Sequence, residues 1–488
     1  MLRCWCVSLL LLLLWPGLAE GQSDPSRQAA ATLPVTTASA QARESFQRAT
    51  RRLEEYRLSE ALEDLRAAVS LDPNFAQAMV LISHLSPDPV EQAAARGRAK
   101  RLAVKVSPGE RLLIRWLVGA QEDDYLPAIA AMNDLLAEYP GDERLPFLAG
   151  RWLIYQQRYQ QAVIVLERAV MRSPNDPATL NELAYAYAFN GDFPKAFAAM
   201  DRYVALEPDQ PNPHDSYGEL LRMDGKFDAA LEQYRLSVRM DPNFGSELGI
   251  ADTYALMGKE EEAREEYQRA MIFAGSQGDK IQYELQSAMT WIRENDHKQA
   301  EKALGEVAKH AHAQGLARWE TEAHRVLAMD EPDPKAGLKQ LQAAQLALRD
   351  PHSLSESDRD EEQARVLRAR ATRLADAKDI ASASEAVSQL EGMAAKSRSQ
   401  VIQLCYQGAA GAVLSAQGKF AEAVTFLEED STDPLSMRLL WQAYSSTGAA
   451  AQALGLASKL AALNVPTADQ ALVVPQFRAT VVSRVGQP

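Results

Sequence analysis

The stretch that decides the fold of this 488-residue chain reads PNDPATLNELAYAYAFNGDFPKAFAAMDRYVALEP, from Pro174 to Pro208. Around it a proline recurs every 34 residues, at Pro140, Pro174, Pro208 and Pro242. A fixed period of this size is typical of a stacked array, in which each repeat is one small structural unit. We therefore expect an array of repeats rather than a single large globular core.

Each repeat has the pattern of two helices joined by a tight turn. From Pro177 onward, apolar residues recur at three- and four-residue steps, which is the spacing of an amphipathic helix. Gly191 ends that helix, because glycine adopts the left-handed C-cap conformation at no steric cost. A second helix is predicted from about Phe193 to Leu206, and the small Ala196 lets the two helices approach closely. One hairpin cannot bury its apolar face alone, so neighbouring repeats have to stack.

These motifs resemble the tetratricopeptide repeat. The resemblance rests on small, aromatic and turn residues at fixed spacing, namely Leu183, Ala184, Tyr187, Gly191, Phe193, Ala196, Met200 and Pro208. The following unit repeats this pattern from Tyr217 to Pro242, and the good match covers about Ala42 to Ala274. The resemblance implies an all-α, right-handed superhelical solenoid of helix-turn-helix hairpins, with protein binding as its class of function.

The composition agrees with a helical, non-nucleic-acid-binding chain. Leu, Ala, Glu, Arg and Gln are abundant, and these residues lose little side-chain freedom in a helix. The formal net charge is −14 at pH 7. An acidic balance disfavours a nucleic-acid surface, which would need clustered lysine and arginine.

The first residues have the layout of a secretory signal peptide. Arg3 precedes an apolar run from Val7 to Leu14, and small residues lead to a predicted cleavage site before Gln22. The alternative is an uncleaved membrane anchor, but the segment from Cys4 to Ala19 is shorter than the roughly 18–20 residues that span a bilayer. We therefore expect residues 1–21 to be removed and the chain to be exported, to a bacterial periplasm or to the exterior.

Five segments follow from these patterns. Residues 1–21 form the signal peptide, and residues 22–41 are expected to be a disordered lead rich in Ser, Thr, Ala and Pro. Residues 42–275 hold a regular array of about six repeats. Residues 276–466 hold divergent repeats of variable length, in which the step from Ala263 to Ala300 is 37 residues. Residues 467–488 carry few helix signals, so they are expected either to cover the last hairpin or to form a mobile tail.

No motif in the sequence predicts catalysis, a metal or a cofactor. Phosphate-binding, nucleophile-elbow and zinc-protease motifs are absent from it. His310 and His312 point to different sides of a helix, so with His324 they make a poor ligand set. Cys405 lies in an apolar helical phrase and is expected to be a buried structural thiol. The basic helix from Arg96 to Lys105 is most simply a solvated face.

The concave face of the array is the predicted binding surface, since the first helix of each hairpin lines an inner groove. Three repeats supply the inner positions, which are Phe147, Arg151, Ile154, Tyr155, Asn181, Tyr185, Ala188, Phe189, Asp215, Glu219, Arg222 and Met223. Aromatic rings mixed with amide and guanidinium groups suit an extended peptide or a partner helix. Some relatives grip a C-terminal carboxylate with Lys, Asn and Arg, but the acidic Asp215 and Glu219 argue against such a clamp here.

The sequence therefore predicts a non-catalytic, exported scaffold or adaptor that binds a protein or peptide partner. One alternative is an enzyme, or the regulatory subunit of one, with its site in the divergent half. A pocket with two or more titratable groups between residues 280 and 470 would favour it. The other alternative is a structural protein that associates with itself through its terminal repeats.

Overall fold

The computed structural model of the chain describes residues 32–350 and 353–485. Those residues form 25 α-helices and one short 3₁₀ helix, Ala103–Lys105, and they contain no strand. The signal-peptide prediction and the first part of the lead lie outside the described residues. None of the described helices is long and apolar enough to cross a membrane.

The helices pair into consecutive antiparallel hairpins, so the all-α repeat solenoid is confirmed. The first seven hairpins are α1 Ala40–Glu54 with α2 Leu58–Leu71, α3 Ala76–Leu85 with α4 Pro89–Leu102, α5 Pro108–Gln121 with α6 Tyr125–Glu138, α7 Arg144–Tyr155 with α8 Tyr159–Arg172, α9 Pro177–Phe189 with α10 Phe193–Leu206, α11 Pro211–Met223 with α12 Phe227–Met240, and α13 Glu247–Leu256 with α14 Glu260–Ile272. There are seven rather than about six, because the irregular stretch before Pro108 also completes a helix pair.

Five further hairpins and a final helix make up the second half. They are α15 Gln277–Arg293 with α16 His297–Ala313, α17 Ala317–Asp330 with α18 Pro334–Ala347, α19 Glu356–Asp376 with α20 Ile380–Lys396, α21 Gln400–Ala416 with α22 Phe420–Glu429, α23 Pro434–Ser446 with α24 Ala450–Ala461, and then α25 Ala468–Val485. The period lengthens because α15 and α16 each have 17 residues, whereas α9 and α10 have 13 and 14.

The recurring alanines hold each pair of helices together. Ala128, Ala162, Ala196 and Ala230 are all fully buried in their hairpins. Most of the turns inside the hairpins contain a residue with positive φ, and Gly191 supplies it at 83° between α9 and α10. The α3–α4 and α17–α18 turns have no such residue. Five other turns place a residue other than glycine in the same conformation, so the turn geometry persists where the glycine is missing; these are Tyr56, Asp123, Gln157, Asn295 and Lys378.

Both ends of the described chain pack onto the array. Leu33, expected in a disordered lead, is 4% exposed, and its amide donates to Asp142 Oδ2 at 2.9 Å. The lead from residue 32 onward is therefore ordered, because its backbone finds partners in the loops of the first hairpins. At the other end, residues 468–485 form helix α25, although few helix signals were found there. Its Val474 and Phe477 are buried against the second half, as in the alternative in which this segment covers the last hairpin.

The second half folds back onto the first and closes the solenoid around a central space. Ser357 Oγ, at the start of α19, donates to the carbonyl of Ala120 at 2.8 Å. The hydroxyl of Tyr155 donates to Glu361 Oε2 at 3.0 Å, although the two residues are 206 positions apart. Ser397 Oγ donates to Asp123 at 2.7 Å. These contacts turn the concave faces of the two halves toward each other.

Candidate functional site

A cavity of about 1150 Å³ lies between the two halves of the solenoid. Its wall in the first half comes from the C-terminal ends of α7, α9 and α11, with Ile154, Tyr155, Ala188, Phe189 and Met223. Its wall in the second half comes from α15, α17, α19, α21, the α22–α23 loop and the segment between α24 and α25. The inner helices thus meet at one site, although they come from two differently spaced arrays.

Part of the cavity lining is apolar and aromatic. Phe189 stacks on Tyr159 with ring centroids 5.2 Å apart. Tyr155 is 48% exposed, and it is among the residues that line the cavity. Leu285 and Trp319 of the second half line it as well. Such rings offer a large contact area at a low cost in side-chain entropy, which suits them to binding a peptide.

The cavity lining also carries four arginines, two on α17 and two on α19. These are Arg318, Arg325, Arg365 and Arg368. Each forms ion pairs with carboxylates nearby: Arg318 with Asp358 and Glu362, Arg325 with Glu322 and Asp469, Arg365 with Glu362, and Arg368 with Asp430 and Asp433. Paired charges of this kind set the geometry of the wall, because removing either partner leaves a buried charge without compensation.

Burial and neighbouring charges shift the pKa values of these carboxyl groups in different directions. Burial raises the pKa of Asp430 to about 7, although Arg368 opposes the shift. The pKa of Asp433 is also raised, chiefly by burial. Burial acts in the same direction on Asp469, but Arg325 and Arg368 outweigh it and hold its pKa below the usual value. The ionised carboxylate of Asp469 therefore ties the start of α25 to the cavity wall.

A non-helical segment of the chain forms part of the cavity wall. It comprises residues 463–467, between α24 and α25, and side chains from two helices, α15 and α25, donate to it. Gln286 Nε2 donates to the carbonyl of Pro466 at 2.9 Å, and Gln470 Nε2 donates to the carbonyl of Leu463 at 3.1 Å. Arg478 reaches the same Leu463 carbonyl at 3.2 Å. Side-chain amide and guanidinium groups therefore hold this non-helical part of the wall in place through its main-chain carbonyls.

The residues predicted from the concave register divide into those at the cavity and those outside it. Tyr155 and Phe189 line the cavity, together with Ile154, Ala188 and Met223. Arg151, Tyr185, Asp215 and Glu219 are half-buried and bond within the protein. For example, Tyr185 donates to Glu219 at 2.8 Å.

For Phe147, Asn181 and Arg222 the structure corrects the prediction, because they are 1%, 0% and 3% exposed. Phe147 packs edge-on to Tyr56 with ring centroids 6.2 Å apart, since the α1–α2 turn folds over this part of the groove. Arg222 is turned into the next repeat, where it pairs with Asp252 at 3.2 Å. None of the three presents a surface to a partner in this structure.

The same turn also covers Arg151. The Arg151 guanidinium lies 4.7 Å above the ring of Tyr56, and the Tyr56 hydroxyl donates to Glu182. Arg57, the next residue in the turn, pairs with Asp241 at 3.0 Å. A pairing over such sequence distances is not encoded in the helical register, so the repeat pattern alone predicted an open groove there.

The four arginines of the cavity wall were not predicted from the sequence. Their signal was present as charged residues on the predicted inner faces, with Arg318 and Arg325 seven residues apart and therefore on one side of α17. None of the charged residues of the divergent half was predicted to line a binding site, whereas Arg325 there is 7% exposed and lines the cavity. Only the closure of the solenoid brings these faces inside.

The cavity meets the condition set for the enzyme alternative, since it holds more than two titratable groups between residues 280 and 470. Its carboxylates are bonded to arginines, however, and burial raises the pKa of the Cys405 thiol to about 11. Such a thiol is protonated at neutral pH and is a poor nucleophile. Within the described residues, no group of three or more potential metal ligands is brought together.

Stability is expected to fall as the pH rises from about 4 to about 7. Burial raises the pKa to about 6 or 7 in five carboxyl groups: Glu54, Glu182, Asp215, Glu260 and Asp430. Unfolded chains release these protons near pH 4, so the folded state binds more protons across this range and loses that advantage as pH rises. Melting temperatures should be higher at pH 5.5 than at pH 8. Glu260→Gln should reduce the change of melting temperature with pH. An unchanged pH dependence in this variant would contradict the prediction.

Comparisons with known proteins place repeats of one family in the first half. Residues 153–220 match the profile of the tetratricopeptide repeat. U-box domain-containing protein 70 of Oryza sativa subsp. japonica is 25% identical over 146 residues, which cover 25% of this chain and 18% of that protein. The chain thus spans less than a fifth of the length of this curated relative.

Two solved structures are similar over different extents. A thermophilic tetratricopeptide repeat protein of Thermus thermophilus, TTC0263, is 21% identical and covers 35% of this chain and 91% of its own, with a TM-score of 0.31. The APC/C hetero-tetramer Cut9-Hcn1 is 16% identical and covers 87% of this chain and 79% of its own, with a TM-score of 0.41.

Proposed function

Because residues 153–220 are tetratricopeptide repeats, a type of repeat that generally mediates protein–protein interaction, we propose that this chain is a non-catalytic, exported binding scaffold. Its site is the central cavity, and its ligand is an extended segment of a partner protein. Export rests on the pattern of residues 1–21, with its positive start, apolar run and small residues before Gln22.

One observation carries the proposal. The cavity wall contains side-chain amides that bond to main-chain carbonyls, since Gln286 and Gln470 donate to the carbonyls of Pro466 and Leu463. The aromatic wall with Tyr155 and Phe189 borders the same space. Main-chain hydrogen bonds combined with aromatic contact area are what a protein needs in order to bind an extended peptide. A preformed cavity also lowers the entropy that has to be lost on binding.

The arginines and carboxylates of the cavity wall are paired with one another, which supports a structural role for these charged groups. A catalytic acid and base need environments that leave one free to donate and the other free to accept a proton. Here Glu362 is shared by Arg318 and Arg365, and Asp430 is bonded to Arg368 and to the Ser436 hydroxyl. These groups hold α17, α19 and the α22–α23 loop in place around the cavity.

The double substitution Tyr155→Ala and Phe189→Ala is expected to lower partner capture by at least about 10-fold, since it removes the aromatic contact area of the site. The chain would be used to capture proteins from separate exported and cytosolic fractions of the source cell. Tyr217→Ala is the control, because Tyr217 bonds to Asp201 outside the cavity.

The result has three informative outcomes. Capture of one partner from the exported fraction, lost in the double variant and kept in the control, supports the proposal. Unchanged capture by a folded double variant contradicts the cavity as the site. Recovery of the chain alone, with sedimentation that depends on concentration, favours self-association instead. N-terminal sequencing of the recovered chain should start at Gln22, and a retained Met1 would contradict export with cleavage.

A further inference from the structure

A basic patch lies where the second and third hairpins meet, outside the cavity. Residues 92–121 contain seven lysine and arginine residues but a single carboxylate, Glu110, although the whole chain has a net charge of −14. Glu110 is 0% exposed, and it accepts hydrogen bonds from Thr36 and Ser107. The surface of this stretch therefore presents cations without an exposed carboxylate of its own.

Five of these seven cations make no ion pair with any of the described residues. Two others are neutralised locally, since Arg96 and Lys100 both pair with Glu122. Four of the remaining five are exposed, and one is half-buried; the five, called the basic patch, are Arg98, Arg101, Lys105, Arg111 and Arg115. A cluster of unpaired charges of one sign attracts a surface of the opposite sign over a distance of several ångströms.

The 3₁₀ helix Ala103–Lys105 joins the two parts of the basic patch, because it contacts both α4 and α5. Arg98 and Arg101 are three residues apart on α4, so they lie on the same side of that helix. Arg111 and Arg115 are four residues apart on α5 and share a side of it in the same way. The cations thus form two short rows on neighbouring helices.

Exposed apolar side chains accompany the cations. Val104 is 77% exposed, with a cation of the patch three residues before it and another directly after it. Leu71, at the end of α2, is 45% exposed, and Arg98 donates to the carbonyl of the nearby Pro73. Cations around a protruding apolar side chain suit the interface of a bilayer, where headgroup phosphates meet acyl chains. An acidic peptide would account for the cations but not for the exposed valine.

The lead binds to the array beside the basic patch. The Thr36 amide donates to Glu110 at 2.8 Å, at the start of α5, and Thr37 Oγ1 donates to Asp72 at 2.5 Å, in the loop before α3. Residues 22–32 connect this bound lead to the predicted signal peptide. Eleven residues span at most about 40 Å. During the export proposed above, the patch therefore stays close to the membrane that holds the apolar segment.

From these observations we propose that the basic patch docks onto an anionic phospholipid bilayer. Headgroup phosphates pair with the five cations, and Val104 enters the boundary between headgroups and acyl chains. The choice of a membrane as the anionic surface rests on the export in the function proposed above. Docking leaves the cavity open to a partner protein, because none of the five cations lines it. The scaffold is thereby held at a membrane surface after its signal peptide is removed.

Co-sedimentation with lipid vesicles tests this inference, with the chain that starts at Gln22 and therefore lacks the apolar segment. Vesicles of phosphatidylcholine with phosphatidylglycerol are compared with vesicles of phosphatidylcholine alone, at about 0.1 M salt. Arg101→Gln with Lys105→Gln is expected to weaken binding to the anionic vesicles about 25-fold, because each cation near an anionic surface contributes roughly 5-fold. Val104→Ser should weaken it by about 5-fold without a change in charge, since it removes the apolar contact.

The matched control is Lys298→Gln with Lys302→Gln. Both lysines are exposed on α16 in the second half, and their loss changes the net charge by the same amount. This control should bind the anionic vesicles like the unaltered chain. Raising the salt to about 0.5 M should release the unaltered chain from them, because salt screens exposed charges. All four substituted residues of the two double variants are exposed, so the melting temperatures should stay close to that of the unaltered chain.

Other results would overturn this inference. Equal vesicle binding by the patch variant and the unaltered chain would show that these cations make no contact with lipid. Release from the vesicles by millimolar inorganic phosphate would show a site for a single phosphate instead of a bilayer. Binding of polyglutamate but not of vesicles would show that the patch fits an acidic protein. If the chain captures a partner through Tyr155 and Phe189 but binds no vesicles, the inference is wrong while the proposed function stands. Vesicle binding without any partner capture would have the opposite meaning.

Discussion

Arg368→Met is expected to destabilise the protein by about 3–5 kcal/mol, the usual cost of breaking a buried ion pair by removing one partner. Arg368 pairs with Asp430 at 2.8 Å and with Asp433 at 2.5 Å. Asp430 is 1% exposed, so its carboxylate has little access to water once the guanidinium is gone. The Arg368 guanidinium also donates to the Ser436 hydroxyl at 3.0 Å, and this bond fixes the start of α23.

The free energy of unfolding from urea titration at pH 8 measures this effect, since both carboxyl groups then tend to ionise. Arg370→Met is the matched control, because Arg370 is exposed on the same helix. Adding Asp430→Asn and Asp433→Asn to Arg368→Met should restore part of the loss, since neutral amides are less costly to bury than unpaired charges. A loss under about 1 kcal/mol, within the range of exposed pairs, would contradict the buried network.

Ala196→Trp is expected to destabilise the hairpin of α9 and α10 by at least about 1–3 kcal/mol, because overpacking forces side chains and backbone out of place. Ala196 is 0% exposed and lies in one cluster with Leu180, Ala184 and Tyr187. An indole at this position has to push the two helices apart. Because each repeat stacks on its neighbours, the disturbance should spread to the hairpins on either side.

Thermal unfolding followed by circular dichroism and amide hydrogen exchange over α7–α12 would show the effect. Ala198→Trp provides the control, since Ala198 is exposed two residues further along the same helix. The control should melt within about 0.5 kcal/mol of the unaltered chain, as exposed substitutions usually do. A native melting curve for Ala196→Trp would show that this alanine is not the contact between the helices.

Local patterns predicted the hairpins well because each depends on residues close together in the chain. The spacing of Ala196 from Gly191, for example, fits one turn and one helix face, and both appear where expected. The lead and the C-terminal segment were predicted less well. Leu33 and Val474 are buried by partners that lie far away in the sequence, so their own neighbours carried no helical or packing signal.

The candidate site shows the same division. The inner positions predicted from the repeat register include Tyr155 and Phe189, which line the cavity. They also include Phe147, which the α1–α2 turn covers, but they omit Arg325 and Arg368 of the cavity wall. An inner position is a local property of a helix, whereas its exposure depends on what the rest of the solenoid places in front of it.

By itself the sequence determined the repeat, its hairpins, the buried alanines and the turns with positive φ, because contacts between residues close together in the chain decide all of these. Only the tertiary structure decided that the solenoid closes. Its curvature is the sum of small rotations between successive hairpins, and the sum brings Glu361 to Tyr155 across 206 residues. That closure converts an open groove into a cavity, and it makes residues 463–467 part of the cavity wall.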